Sequence, residues 1–114
     1  MKKVYIAGKL NSNACEYIKN MHRMIKTARE VRGLGFSVYV PGNDFLEGLV
    51  DGHFEYGEYF NNSQPWLDAA DAVFLVPGWE TSEGTKREIE RAKLQNIPVF
   101  SNLYTLAKEL GDMR

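Results

Sequence analysis

The chain has 114 residues, a length that suits one domain with one buried core. Apolar residues make up 44% and charged residues 25%, a globular balance, and the net charge of −1 offers no basic field to hold a nucleic acid polymer. No apolar run approaches the ~20 residues of a membrane span, and the first segment is too short to serve as a signal peptide. With Cys15 the single cysteine, no internal disulfide can form. We expect a cytoplasmic protein.

Val4 to Ala7 is a short apolar run closed by Gly8, which predicts a buried first strand and a turn. Asn13, three residues before Glu16, marks a helix start. Tyr17, Met21, Met24, Ile25, Ala28 and Val31 then recur at helical spacing, and Gly33 and Gly35 close the helix. Phe36 to Val40 predicts a second strand, ended by Pro41-Gly42. Residues 43 to 56 show no clean period and read as a long loop, of the kind that often carries function. Residues 57 to 70 read as mostly helical, with Ser63 and Pro65 resembling an ordinary helix cap. Ala72 to Val76 predicts a third strand, Gly84 to Gln95 a helix, Ile97 to Phe100 a fourth strand and Leu103 to Leu110 a closing helix.

This alternation predicts an α/β fold: a flavodoxin-like or Rossmann-like three-layer sandwich with a parallel sheet of four to five strands. Ligands of such sheets sit beyond the carboxyl ends of the strands, where the strand order reverses. That rule selects Gly8 to Asn13, Pro41 to Asp44 and Pro77 to Glu88.

The third segment carries the most chemistry. Ser82, Gly84 and Thr85 lie at a helix start, where free N–H groups and the helix dipole favour an anion. Glu88 follows one turn later, on one face with Thr85 and Ala92. Near a helix start its carboxylate is expected to stay ionised, and an ionised, positioned carboxylate can attack an anomeric carbon. Thr85-x-x-Glu88 equally matches a capping box, which requires no ligand. Both readings stand at this point.

The motif Ser82-x-Gly84-x-x-x-Glu88, the strand Val4-Tyr5-Ile6-Ala7-Gly8 and the passage Trp66-Leu67-Asp68-Ala69-Ala70-Asp71-Ala72-Val73 together resemble the nucleoside 2-deoxyribosyltransferase superfamily. The likeness is nearest to the branch that hydrolyses nucleoside 5′-monophosphates and to its small phage-type relatives. It runs from about Lys3 to Phe100. It implies that Glu88 is the nucleophile, that Tyr5 contacts it, and that Ser82 binds a phosphate where enzymes acting on plain nucleosides carry an acid. It also implies sites built at a homodimer interface. Two features depart from the pattern. The acid that protonates the leaving base falls at Ser63, so either Asp44 or another group supplies the proton, or cleavage is slow, or the protein only binds. The glycine-rich turn after the first strand is reduced to Gly8-Lys9-Leu10-Asn11-Ser12-Asn13, in which Lys9 either pairs with a phosphate or is solvated.

The remaining candidates are less specific. Trp79, beside the phosphate segment, is a candidate base or sugar contact. Phe45, Phe54, Tyr56, Tyr59 and Phe60 wall a base pocket, form a dimer contact or pack the long loop against the sheet. Trp66 is expected in the core and Asp71 at a helix end. Lys86, Arg87, Arg91 and Lys93 are expected on an outer helix face, with Lys86 or Arg87 in reach of a phosphate. His22 and His53 join no cluster with metal-ligand spacing, so no metal and no cofactor is expected. The leading expectation is an N-glycosidase for a (deoxy)nucleoside 5′-monophosphate, with base transfer as a variant. The alternatives are a nucleotide-binding protein without turnover on the same scaffold, and a plain interaction module.

Overall fold

The computed structural model describes residues 1–9, 14–41 and 56–111; of residues 14 and 56–60 it describes the backbone. Strand β1 (Lys3–Ala7) leads into helix α1 (Ala14–Gly33), then β2 (Ser37–Tyr39), α2 (Tyr56–Asp68), β3 (Ala72–Leu75), a 3₁₀ turn (Trp79–Thr81), α3 (Glu83–Leu94), β4 (Val99–Phe100) and α4 (Leu103–Gly111). The four strands form one parallel sheet in the order β2-β1-β3-β4. The fold is the expected three-layer α/β sandwich. No described helix is long and apolar enough to cross a membrane.

The two central strands are buried on both faces, which explains their unbroken apolar sequence. Their side chains alternate between two cores. Val4, Ile6, Ala72 and Phe74 pack with α1 and α4 through Met24, Ala28, Val31, Leu106 and Leu110. Tyr5, Ala7, Val73 and Leu75 pack with α2 and α3 through Leu67 and Ala92.

Chain order reverses between β1 and β3, and their carboxyl ends are drawn tightly together. The Val76 N–H donates to Ala7 O at 2.8 Å. A Cβ on Gly8 would stand 2.7 Å from Val76 Cβ and 3.3 Å from Met24 Cε, so only glycine fits this junction. Gly78, on the β3 side, has φ 92°, a left-handed conformation that a side chain would strain.

Several expectations need correction. Ile25 is 46% exposed rather than part of the buried stripe. It lies about 100° of helix rotation from Met24, outside the arc that meets the sheet. Asn20 and Thr27 complete the buried arc on the opposite flank. Ser63 does not cap a helix: α2 runs through Pro65, whose ring lies on the exposed side and removes only one backbone bond. The helix ends at Asp68, so Asp71 does not terminate it. Asp71 instead ties together the amino ends of the two central strands, with Lys3 N donating to its Oδ2 at 2.7 Å and its own N–H donating to Lys3 O at 2.8 Å.

Candidate functional site

Helix α3 begins at Ser82, whose extended backbone and short hydroxyl make it the N-cap. The Thr85 N–H and the Thr85 hydroxyl both donate to Ser82 Oγ, at 3.1 and 2.9 Å. Thr85 is therefore the third residue of the helix and is 1% exposed. The capping box expected between Thr85 and Glu88 does not form, because the cap lies three residues earlier. With both acceptor positions of Ser82 Oγ engaged, its own O–H remains to donate outward. Gly84 sits between them in the first turn, without a side chain to cover the free N–H groups.

One turn further, Glu88 lies on the sheet-facing side of α3 between Thr85 and Ala92, as the spacing predicts. The residue is half-buried, with its carboxyl end turned inward to the sheet. There the Tyr5 hydroxyl donates to Glu88 Oε2. Tyr5 is fully buried. The Ser63 hydroxyl, also buried, bonds the same phenol from α2. Strands β1, helix α2 and helix α3 thus converge on one chain of hydrogen bonds, Ser63 to Tyr5 to Glu88.

The electrostatics differ from the expectation of a simply ionised carboxylate. Burial pushes the Glu88 carboxyl up to about 7, against the pull of the Tyr5 hydrogen bond. The helix dipole acts on a group one turn inside, where its effect has already fallen, so desolvation dominates. Burial and the neighbouring Glu88 charge raise the Tyr5 phenol well above its ordinary value. Tyr5 therefore stays protonated and serves as a donor throughout the neutral range, while Glu88 exchanges its proton near pH 7.

An aromatic ladder runs outward from this pair. Tyr39 is the cross-strand partner of Tyr5 and stacks on it, with centroids 5.6 Å apart and planes at 21°. Trp66 stacks on Tyr39 at 5.4 Å and 9°. Trp66 is 57% exposed rather than a core residue, because α2 presents Leu67 and Ser63 to the sheet and leaves Trp66 at the rim. Sequence reasoning missed Tyr39 and this stack. The available signal was the equivalent position of the two tyrosines in adjacent strands.

Gly8 and Lys9 stand at the carboxyl end of β1, with Lys9 half-buried. Trp79 is half-buried against the core cluster that contains Tyr5. Arg91 is not on an outer face. It forms a two-pronged pair with Asp68, at 2.9 and 2.7 Å, that ties α3 to α2 and holds the Asp68 carboxyl below the usual range. Lys86 is exposed and lies 3.5 Å from Glu83, while Arg87 and Lys93 are exposed. His22 is exposed, as is the free Cys15. Asp44, Phe45, His53 and Phe54 lie outside the described residues, as do the side chains of Tyr56, Tyr59 and Phe60.

A family model described as a domain of unknown function, DUF4406, matches residues 2–101, a span that includes both Tyr5 and Glu88. No curated protein matches the chain. The chain belongs to the DUF4406 family.

Proposed function

We propose that this member of the DUF4406 family is an N-glycosidase that cleaves the base–sugar bond of a (deoxy)nucleoside 5′-monophosphate. The observation that carries the reading is the buried Tyr5–Glu88 hydrogen bond one helical turn below the Ser82–Thr85 helix start, at the reversal point of a parallel sheet. Resemblance of these same residues to the nucleoside 2-deoxyribosyltransferase superfamily supports it.

In this reading the outward O–H of Ser82 and the N–H groups around Gly84 hold the phosphate, with Lys9 adding charge. Ionised Glu88 attacks the anomeric carbon through the oxygen that Tyr5 does not hold. The carbon–nitrogen bond breaks, and its electron pair leaves with the base, which takes a proton from solvent or a neighbouring acid. Water then attacks the anomeric carbon of the glycosyl ester, releasing the sugar phosphate and restoring Glu88. A second base in place of water would make the step a transfer. Trp79 or the exposed face of Trp66 offers an aromatic surface to the base. Resemblance further suggests a homodimer, which size-exclusion chromatography with light scattering tests directly.

A specific observation favours a second reading. Ser63 stands at the position of the family acid and its hydroxyl bonds the Tyr5 phenol, so it cannot supply a proton as a carboxylic acid does. A protein that binds a nucleotide without turnover fits that substitution. Chromatography separates the two readings. The wild type and Glu88→Ala are incubated with a panel of ribo- and deoxyribonucleoside monophosphates. Free base from the wild type alone supports the glycosidase. No base from any of them, with one nucleotide retained intact, overturns it in favour of binding.

A further inference from the structure

The reversal point has a second polar edge, on the side of the sheet opposite Glu88. Helix α1 follows β1, so its N-terminal half overhangs the carboxyl ends of β1 and β3. Met24 marks the level of Gly8, with its Cε 3.3 Å from where a Cβ would stand. Asn20 lies one turn closer to the helix start, above that junction. It is 3% exposed, yet its Nδ2 has no hydrogen-bond partner. Its orientation is set at the other end, where Arg23 Nη1 donates to Oδ1 at 3.5 Å. Exchanging the two ends of the amide would place donor against donor, so the orphan is the Nδ2 donor.

Arg23 is the neighbouring group. Its Nη1 lies 3.1 Å from where a Cβ on Gly78 would stand, so the guanidinium rests directly over the backbone that leads to Ser82. Among the described residues no carboxylate pairs with it, in contrast to Arg91, which Asp68 holds on two bonds. A buried amide donor without an acceptor is costly and uncommon. Beside it stands a cation that no described carboxylate pairs with, resting on a glycine whose missing side chain lets the guanidinium lie against the backbone. An anionic oxygen group satisfies both, and the planar fork of arginine suits a phosphoryl group.

Resting on the reading of the crevice as a nucleotide site, we infer that Asn20 and Arg23 form a second phosphoryl subsite, distinct from Ser82–Thr85. The preferred ligand class is then a nucleotide with two phosphoryl groups, such as a nucleoside diphosphate. Gly78 and Ser82 are joined by a single 3₁₀ turn that rises about 2 Å per residue, so the two subsites lie within reach of one such ligand.

The test is calorimetric titration of the full chain with inorganic phosphate, inorganic pyrophosphate, and adenosine mono- and diphosphate. The wild type is expected to bind the two-phosphoryl probes at least ~10-fold more tightly than their one-phosphoryl counterparts. Arg23→Gln is expected to abolish that ratio. The exposed control Arg29→Gln, which removes the same charge from the same helix, preserves it. Asn20→Leu is expected to weaken the two-phosphoryl probes without lowering the melting temperature, because it removes a buried donor that has no partner. Equal affinity for both probe classes in the wild type, or a ratio unchanged by Arg23→Gln, overturns the inference. A melting temperature lowered by Asn20→Leu with probe affinities intact overturns it for the amide. Base release is independent of these readouts: a pyrophosphate preference without glycosidase activity refutes the proposed reaction and leaves the subsite standing.

Discussion

Tyr5→Phe isolates the hydrogen bond on which the proposed chemistry depends. Tyr5 is fully buried against Tyr39, so phenylalanine keeps the ring, the stack and the volume and removes one hydroxyl. Glu88 ionises near pH 7 with the Tyr5 bond pulling its value down and burial pushing it up. Without the bond only the upward push remains. A hydrogen bond to a charged acceptor is worth about 1.5–3 kcal/mol, which corresponds to about one to two pKa units. The wild-type carboxylate is about half ionised at pH 7. With a shift of that size the variant is ionised to roughly a tenth or a hundredth. Base release at pH 7 is therefore expected to fall about 5- to 50-fold, and to recover as the pH approaches 9 or 10. The assay is the initial rate of base release from pH 5 to 10 for both proteins. A carbon-13 titration of the labelled Glu88 carboxyl checks the same shift without turnover. A midpoint in Tyr5→Phe equal to or below that of the wild type refutes the argument.

Further outcomes follow from the same geometry. The Glu88 carboxyl rises from 4.5 in the unfolded chain to about 7 in the fold. The folded state therefore binds the extra proton, and its stability falls as pH rises from about 4.5 to 7, by up to about 3 kcal/mol. Glu88→Gln removes that dependence. Urea denaturation should show it more stable than the wild type at pH 8, with the advantage shrinking toward pH 4.5, and a difference constant across that range counts against the buried-carboxyl account. Ser82→Ala loses the α3 cap, at a cost of about 1 kcal/mol in urea denaturation, and weakens binding of a nucleoside monophosphate. Unchanged affinity places the phosphate elsewhere. Trp66→Ala removes one outer stack on Tyr39, worth about 0.5–1.5 kcal/mol, and leaves the Tyr5–Glu88 pair intact. A shifted Glu88 titration in that variant contradicts the separation of ladder from pair.

Patterns repeated along the chain were legible before the structure. Four apolar runs became four parallel strands, and the spacing of Thr85, Glu88 and Ala92 placed all three on the sheet side of one helix. What escaped was set by distant partners. The charge state of Glu88 depends on desolvation by segments more than eighty residues apart, so an argument from its own helix start gave the wrong balance. Pro65 suggests a helix boundary, yet its exposed position lets α2 continue and frees Ser63 to meet Tyr5. Arg91 has the pattern of a solvated cation, and only the packing of α2 on α3 supplies Asp68. Asn20 is a polar residue inside an apolar stripe, a signal visible in the sequence but without meaning until Gly8 and Gly78 are set beside it.

The physical balance at Glu88 bears directly on the acid that the resemblance would place at position 63. A carboxyl that ionises near 7 is a weaker nucleophile at neutral pH than one fully charged, but it is better matched to moving a proton. A carboxylic acid at position 63 would place a second negative charge against the Tyr5–Glu88 pair and raise the Glu88 carboxyl further. Serine there avoids that repulsion and keeps the Tyr5 hydroxyl directed at Glu88 by bonding the phenol oxygen from the other side. In the proposed reaction, serine at this position gives up a proton source for a better-held nucleophile. That trade suits a substrate whose base departs without strong acid assistance, or a protein whose task is to hold its ligand. Glu88 ionisation separates the two, since turnover by a nucleophile must rise through pH 7 and ligand retention at the phosphate subsite need not.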